Sequence, residues 1–199
     1  MSQSGTSVRG STNKLKAIAH IDGANMFYTQ KKLGWLVDWE KLKSYLEGRF
    51  QLLELRYYVG VKPGDAGAQN FLDSLTKLGY IPVTKPLKEI RLAPPQQGIV
   101  HKANFDVEMS CDILLARHRF DHLVLLSGDS DFAYLLQILK NEGKETTVLC
   151  SRSTLGWELK LATKRYTYLE DIKSHVYRKD GGHERATSVT HLTRAIALW

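Results

Sequence analysis

The stretch LLSGDSDFAYLL, residues 125–136, places Asp129 and Asp131 between two apolar runs. The first run is typical of a buried strand and the second begins an amphipathic helix, so the two carboxylates fall where a strand gives way to a helix. Helix starts favour aspartate, because its side chain accepts hydrogen bonds from the unpaired N–H groups there. Two like charges one residue apart also favour a second interpretation, in which this position binds a cation.

The chain alternates apolar runs with helical segments on both sides of this stretch. Strands are predicted at residues 16–21, 52–61, 80–87, 122–127, 144–150 and 166–172. Helical spacing is clear in residues 38–50, where Asp38 is the predicted N-cap, and in residues 65–80, which Gly79 closes. This alternation predicts an α/β fold with three layers, α/β/α, around a central, mostly parallel sheet of five or six strands.

Prolines and glycines mark the limits of several predicted elements. The prolines of the third strand predict an edge position, because proline cannot donate to a strand ladder. Residues 91–102, RLAPPQQGIVHK, are rich in helix and strand breakers and in positive charge, and are predicted to form a loop. Gly143 is predicted to end the helix that follows the aspartate pair.

The chain divides into a domain and two tails. Residues 1–13 are rich in Ser, Thr and Gly and are predicted to be a disordered N-terminal tail. Residues 14–176 form the predicted domain, and residues 177–199 form a C-terminal tail. An apolar stripe with spacings of three and four residues runs through that tail at Val189, Leu192, Ile196 and Trp199. The stripe predicts a short helix that docks on this domain or on a protein partner, and a frayed terminus is the alternative.

Composition narrows the class of partner. The 199 residues are 43% hydrophobic and carry a net charge of +7 with a pI near 9.3, which favours a polyanionic partner such as nucleic acid. Cys111 and Cys150 are too few for a disulfide framework or a zinc site built from cysteine pairs, and their apolar surroundings fit a reducing compartment. We see no secretory signal and no membrane-spanning run, so the predicted location is cytoplasmic, without a membrane partner.

Four aspartates are predicted to converge at one edge of the sheet. Asp22 ends the first strand, Asp129 and Asp131 follow the fourth, and Asp106 begins the helix that leads into the fourth. If the first and fourth strands are neighbours, their carboxyl ends meet where doubly wound sheets bind ligands. Each aspartate also has an ordinary explanation: a turn at Asp22, a helix cap at Asp131, and a first-turn acid at Asp106.

Electrostatics favour a cation at such an edge. Two carboxylates about 4 Å apart repel by about 4 kcal/mol at an effective dielectric constant of about 20. Several such pairs in one cleft require protonation or a bound cation. Hard oxygen donors without His or Cys suit Mg²⁺ or Mn²⁺, and either ion can activate a water for attack on a phosphodiester. We therefore expect the four aspartates to be metal ligands and catalytic residues.

Three blocks of the sequence, HIDGANMF, KANFDVEMSCDIL and LLSGDSDFAYLL, resemble the NYN-domain family, including its LabA-like bacterial members, within the PIN-like nuclease superfamily. The likeness covers about residues 15–172 and implies the metal-dependent acidic centre of a ribonuclease. The positions that match the family's acidic and amide residues are Asp22, Asn25, Asp106, Asp129 and Asp131, with Asp112 and Lys102 as accessory positions. One departure is Ala162-Thr163, where members often carry Ala-Asp.

The resemblance also implies roles for two of these residues and leaves the role of a third open. Asn25 is expected to hold a metal-bound water or a carboxylate. Lys102 is expected to contact a phosphate, and a solvated loop lysine is the alternative. Asp112 lies six residues after Asp106, off its face of the helix, and pairs by spacing with Glu108, so its role stays open.

Basic side chains are predicted to surround the acidic pocket and to bind the nucleic-acid backbone. The candidates are Lys85, Lys88, Arg91, Lys102, Arg152, Lys160, Lys164 and Arg165. A solvated charged face is the alternative for each. Tyr28, Trp35 and Trp157 are candidates to stack on unpaired bases, although aromatic residues at helical spacing lie more often in the core.

The leading hypothesis is an Mg²⁺- or Mn²⁺-dependent endoribonuclease that hydrolyses single-stranded RNA, the choice of RNA over DNA resting on the resemblance alone. The alternative is a non-catalytic RNA-binding or regulatory module of the LabA-like type. A phosphomonoesterase with a nucleophilic aspartate is disfavoured, because Ala24 stands where its second acid is needed, and no P-loop motif occurs. A homodimer is left open, because PIN-like domains often pair.

Overall fold

The computed structural model describes residues 14–92 and 98–179. The predicted N-terminal tail and the apolar stripe of the C-terminal tail both lie outside these residues. Within them, none of the helices has the combination of length and apolar character needed to cross a bilayer.

The main sheet has six strands, and every pair of neighbours runs parallel. The strands of the described chain are β1 Lys16–Asp22, β2 Gln51–Val61, β3 Ile81–Pro86, β4 Lys88–Leu92, β5 Gly98–Lys102, β6 His122–Leu126, β7 Glu145–Cys150 and β8 Tyr166–Tyr168. Their order in the sheet is β3-β2-β1-β6-β7-β8. The first and fourth predicted strands, now β1 and β6, are therefore neighbours, and the proline-containing β3 lies at an edge.

Helices cover both faces of the sheet, which confirms the predicted three-layer fold. Their bounds are α1 Gly23–Leu33, α2 Trp39–Glu47, α3 Ala66–Lys77, α4 Asp106–Ala116, α5 Ala133–Asn141, α6 Trp157–Ala162 and α7 Lys173–Val176. One core cluster joins the sheet to α1, α2, α3 and α7. A second joins the opposite face to α4, α5 and α6.

Strand β1 lies at the centre because its sequence is apolar on both faces. Ala17, Ile18, Ala19 and Ile21 are fully buried, as expected for a strand with helices above and below it. The run stops at Asp22, whose carboxylate accepts a hydrogen bond from the N–H of Asn25 and so begins α1. The central strand therefore delivers an aspartate to its carboxyl end.

The predicted loop over residues 91–102 is wrong in part. Strands β4 and β5 pair in an antiparallel hairpin, with Lys88 opposite Lys102 and Leu92 opposite Gly98. Pro94 and Pro95 belong to residues 93–97, outside the described chain. Prolines and glycines limit the length of a strand, but the five residues on each side of this stretch are enough to form a hairpin.

Candidate metal centre

The acidic site lies at the point where the strand order of the sheet reverses. Strand β1 has β2 on one side and β6 on the other, so the connections after β1 and β6 leave in opposite directions. Ile21, the residue before Asp22, pairs with Leu126, the last residue of β6. The crevice at such a switch point is where open α/β sheets bind ligands.

Three of the four predicted carboxylates form a compact group. One oxygen from each of Asp106, Asp129 and Asp131 lies within 4.8 Å of the others. Asp22 falls outside this tight group but lies close enough for the charges of Asp106 and Asp129 to act on its ionisation. We call these four residues the acidic centre.

Asp22 is held in a position that disfavours its charge. Burial, together with the negative charges of Asp106 and Asp129, raises the pKa of its carboxyl to about 6. Two hydrogen bonds oppose this shift, from the N–H of Asn25 at 3.0 Å and from the hydroxyl of Ser127 at 3.1 Å. The two bonds fix the carboxylate in place, and no cationic side chain among the described residues pairs with it.

Asp129, rather than Asp131, caps the helix that follows β6. The Asp129 carboxylate accepts a hydrogen bond from the N–H of Asp131 at 3.0 Å and begins a 3₁₀ turn over Ser130–Phe132 that leads into α5. Asp131 lies inside this turn, where its carboxylate is exposed, so the alternative explanation of Asp131 as a helix cap is wrong. The tighter turn puts the second aspartate past the capping position.

Asp106 enters the group from the first turn of α4. Asn104 holds it at both ends: the Asn104 amide donates to the Asp106 carboxylate at 2.5 Å, and the Asp106 N–H donates to the Asn104 oxygen at 2.8 Å. Burial raises the pKa of Asp106, and repulsion from Asp129 and Asp131 adds to the rise. The positive charge of exposed Lys102 acts in the opposite direction and lowers the pKa of Asp106.

Among the described side chains, no lysine, arginine or histidine forms an ion pair with any member of the acidic centre. Crowded carboxylates without counter-charges, all of them hard oxygen donors, fit a divalent cation such as Mg²⁺ or Mn²⁺. Burial of Asp22 strengthens that fit, because an unpaired charge costs more when it is partly removed from water.

Asn25 connects helix α1 to the loop that carries the aspartate pair. Its amide oxygen accepts a hydrogen bond from the N–H of Gly128 at 3.0 Å and a longer one from the hydroxyl of Thr29 at 3.4 Å. Gly128 has no room for a side chain, because a Cβ atom there would lie 2.0 Å from the carbonyl oxygen of Thr154. This bond fixes the loop between β6 and α5 against the start of α1, close to Asp22.

Asp112 lies in a different cluster, although it shares α4 with Asp106. Its carboxylate accepts hydrogen bonds from Arg56 at 2.9 Å and from the hydroxyl of Tyr58 at 2.8 Å. Arg56 also pairs with buried Glu54 at 2.5 Å, and the Tyr58 hydroxyl contacts the ring of buried His20 at 2.9 Å. We call these five residues the charge network; spacing on α4 had paired Asp112 with Glu108, which instead binds Lys85 at 2.5 Å.

The other predicted basic residues are spread over the sheet. Arg152 follows β7 at the carboxyl edge, where it pairs with Asp171 and stacks on Tyr168 at 4.2 Å. Lys160 faces the ring of Tyr166 at 5.5 Å. Lys164 and Arg165 lie near Glu145, the first residue of β7, and Arg165 pairs with it at 3.5 Å. The last two therefore lie toward the amino edge, away from the acidic centre.

The departure from the family pattern at Thr163 also lies away from the acidic centre. Its hydroxyl donates to the carbonyl oxygen of Arg165 at 2.8 Å and lies 3.5 Å from the hydroxyl of Thr146, near the start of β7. The Thr163 hydroxyl supplies the hydrogen bond of this turn, and none of its contacts involves the aspartates of the acidic centre.

Sequence patterns did not reveal three residues that shape the site. Ser127 is fully buried, donates to Asp22 and accepts from the N–H of Asp129 at 3.2 Å, so it links two members of the centre. Asn104 orients Asp106, as described above. Ser130, between Asp129 and Asp131, donates to Glu158 at 2.7 Å and so joins this turn to α6. The available signal was their position, because each lies within two residues of a predicted ligand.

Comparisons with known proteins agree with this fold. The NYN domain family model matches residues 17–170. The chain is 35% identical over 163 residues to the Low amplitude and bright protein LabA of Synechococcus elongatus, across 80% of this chain and 87% of that protein. The crystal structure of VPA0982, a Vibrio parahaemolyticus protein of unknown function, matches with a TM-score of 0.69 at 18% identity, across 84% of this chain and 99% of that one. At that identity the structural match supports the fold alone.

Proposed function

We propose, given that this chain belongs to the NYN domain family, that it is a divalent-metal-dependent endoribonuclease that hydrolyses phosphodiester bonds in single-stranded RNA. The observation that carries the proposal is the group of Asp106, Asp129 and Asp131, whose oxygens lie within 4.8 Å of one another at the switch point of the sheet. The absence of ion-pair partners for these carboxylates among the described side chains supports a cation in their place.

Asp22, Asp106, Asp129 and Asp131 are the residues that would hold Mg²⁺ or Mn²⁺. When bound there, such an ion supplies a nucleophile by lowering the pKa of water and stabilises the charge that develops on the phosphate. Asn104, Ser127 and the Asn25–Gly128 hydrogen bond keep the carboxylates in place.

We assign the phosphate of the substrate to Lys102. It is exposed, and its charge acts on Asp106 from the end of β5. Arg152 lies further along the same carboxyl edge, and we assign it a weaker role, because Asp171 already neutralises it. The basic net charge of +7 favours association with a polyanion, and the reducing environment indicated by two free cysteines favours the cytoplasm. A homodimer and a partner for the C-terminal tail stay predictions.

The test compares two aspartates with the same structural task. Asp22 and Asp38 both cap a helix by accepting the N–H three residues later, and asparagine can cap in their place. Purified wild type is expected to cut a single-stranded RNA blocked at both ends when Mn²⁺ or Mg²⁺ is present, and to leave it intact in EDTA. Asp22→Asn is expected to abolish cutting, whereas Asp38→Asn keeps it.

Full activity in Asp22→Asn would overturn the assignment of the centre. Cutting of unblocked RNA only would indicate an exonuclease. Metal-independent retention of RNA without any cutting would favour the alternative function, a non-catalytic RNA-binding or regulatory module.

A further inference from the structure

We propose that Tyr134 and Trp157 form a stacking surface for unpaired bases beside the acidic centre. This inference rests on the proposed function and deepens it, because it identifies the feature that would restrict the substrate to a single strand. We call these two residues the aromatic pair. They lie at the starts of α5 and α6, on the same side of the sheet as Asp106.

Both rings are unusually exposed for their size. Tyr134 is 73% and Trp157 is 66% exposed, whereas the core rings Tyr58, Phe120 and Phe132 are buried. In the part of the chain that the structure describes, neither side chain has a hydrogen bond, a ring contact or a cation over its face. Each ring therefore offers a free aromatic face on which an unpaired base can stack.

Tyr134 is positioned by the turn that carries the aspartates. It lies three residues after Asp131, and residues at this spacing share one face of a helix. Asp131 is itself exposed, so the ring and the carboxylate open to the same solvent region. A nucleotide whose phosphate lies near Asp131 therefore has the ring of Tyr134 within reach of its base.

Trp157 is fixed against the same turn from the other side. The N–H of Gly156 donates to the carbonyl oxygen of Gly128 at 2.8 Å, and Glu158 accepts from the hydroxyl of Ser130 at 2.7 Å. A Cβ atom at Gly156 would lie 2.1 Å from the Ser130 oxygen, so the two segments touch. Trp157 lies between Gly156 and Glu158 in the sequence, so these two contacts hold it next to the turn that contains Asp129.

The arrangement fits a single strand better than a duplex. Stacking on an aromatic ring requires a base whose face is free, and the bases of a duplex already stack on one another. The positive charge of Lys102 acts on Asp106, and the aromatic pair lies next to the turn that carries Asp129 and Asp131, so a strand that crosses the centre could place phosphates at the lysine and bases at the rings.

The other aromatic candidates from the sequence are less suited to this role. Trp35 is partly buried and packs edge-on against Tyr177, with 6.1 Å between ring centres. Tyr28 packs against Phe27 at 5.3 Å. Both lie with the helices on the opposite face of the sheet.

The experiment measures binding of a fluorescent 12-nucleotide oligouridine by anisotropy in Ca²⁺, with the intactness of the probe checked on a gel. Tyr134→Ala and Trp157→Ala are each expected to lower affinity about five-fold or more, the effect of losing one stacked base. Trp157→Phe keeps a ring and is expected to retain most of the affinity. Leu161→Ala is the matched control, since Leu161 is 65% exposed one turn further along α6.

A duplex RNA of the same length is expected to bind these variants and wild type alike. Unchanged oligouridine affinity in both alanine variants, with cutting intact in wild type, would overturn the aromatic pair and leave the nuclease standing. Ring-dependent binding without any cutting in Mn²⁺ would support the pair and remove the nuclease. Equal losses in Leu161→Ala would overturn the pair by pointing to a general apolar surface, such as one for a protein partner.

Discussion

Two acid-containing regions of this molecule share a strand and a helix and differ in their counter-charges. His20 of the charge network and Asp22 of the acidic centre lie two residues apart on β1, and Asp112 and Asp106 lie six apart on α4. In the charge network, Arg56 bonds both Glu54 and Asp112, and Arg119 adds a contact to Glu54 at 3.3 Å. In the acidic centre, no described lysine, arginine or histidine forms an ion pair with any of the four aspartates.

Asp106 and Asp112 lie on the same helix, α4, and differ in the side chains around them. Those neighbours, rather than the helix, determine whether each carboxylate has a counter-charge. Arg56 of β2 bonds both Glu54 and Asp112, and its bond to Asp112 joins α4 to β2. Asp106 and Asp22 instead have raised pKa values, because burial and the neighbouring aspartates disfavour their ionised forms. We expect mutations in the two regions to separate catalysis from stability.

The largest expected effect is on catalysis and compares two aspartates of α4. Asp106→Asn is expected to lower Mn²⁺-dependent RNA cleavage more than about a hundred-fold, because the loss of a metal ligand removes several kcal/mol of transition-state stabilisation. Asp112→Asn is expected to retain cleavage within a few-fold, with single-turnover rates measured for both. Equal losses would mean that the charge network contributes to the reaction and that the two regions act as one.

The next largest effect is on the free energy of unfolding, which we expect to depend on the charge network and not on the acidic centre. Arg56→Met is expected to lower the free energy of unfolding by about 2–3 kcal/mol, because it leaves Glu54 and Asp112 without their shared partner. Asp106→Asn is expected to leave that free energy unchanged or higher, since it removes repulsion from Asp129 and Asp131. Urea unfolding in EDTA measures both. A more stable Arg56→Met would show that the network is not structural.

The smallest effect is a pH dependence with opposite signs in the two regions. His20 and then Arg56 lower the pKa of Glu54 from 4.5 to about 2, so its stabilisation is full above pH 4.5 and is lost as the pH falls toward 2. Asp22 has a pKa raised from 3.8 to about 6, so it favours the fold below pH 3.8, and that contribution is lost as the pH rises through 6.

Unfolding in EDTA between pH 2 and 7 is the measurement for this last prediction. Glu54→Gln is expected to flatten the loss of stability at the acid end, and Asp22→Asn to flatten the loss toward neutral pH. The same slopes in both variants and in wild type would contradict the difference between the regions.

The sequence predicted the acidic centre because its geometry follows from a rule of topology. Asp22 and Asp129 come directly after apolar runs, and neighbouring parallel strands bring their carboxyl ends together whatever lies between them in the chain. The role of Asp112 could not be predicted in this way. Its partners Arg56 and Tyr58 come from β2, more than fifty residues earlier, and only packing of α4 on that strand brings them together.

Basic residues were also beyond prediction from spacing. Arg152 follows the carboxyl end of β7, and Arg165 lies near its amino end, because α6 carries the chain back across the sheet before β8 begins. The hairpin of β4 and β5 was missed because its strands are short and its breakers are many. Long apolar strands are therefore well predicted here, and short elements joined by long-range contacts are not.

A crystal soaked in Mn²⁺, with anomalous diffraction recorded at the manganese edge, tests whether the four aspartates form one metal site. We predict an anomalous peak within coordination distance, about 2–2.5 Å, of oxygens from Asp106, Asp129 and Asp131, with Asp22 next to it. The absence of that peak at saturating Mn²⁺, or a peak bound only elsewhere on the molecule, would contradict the account.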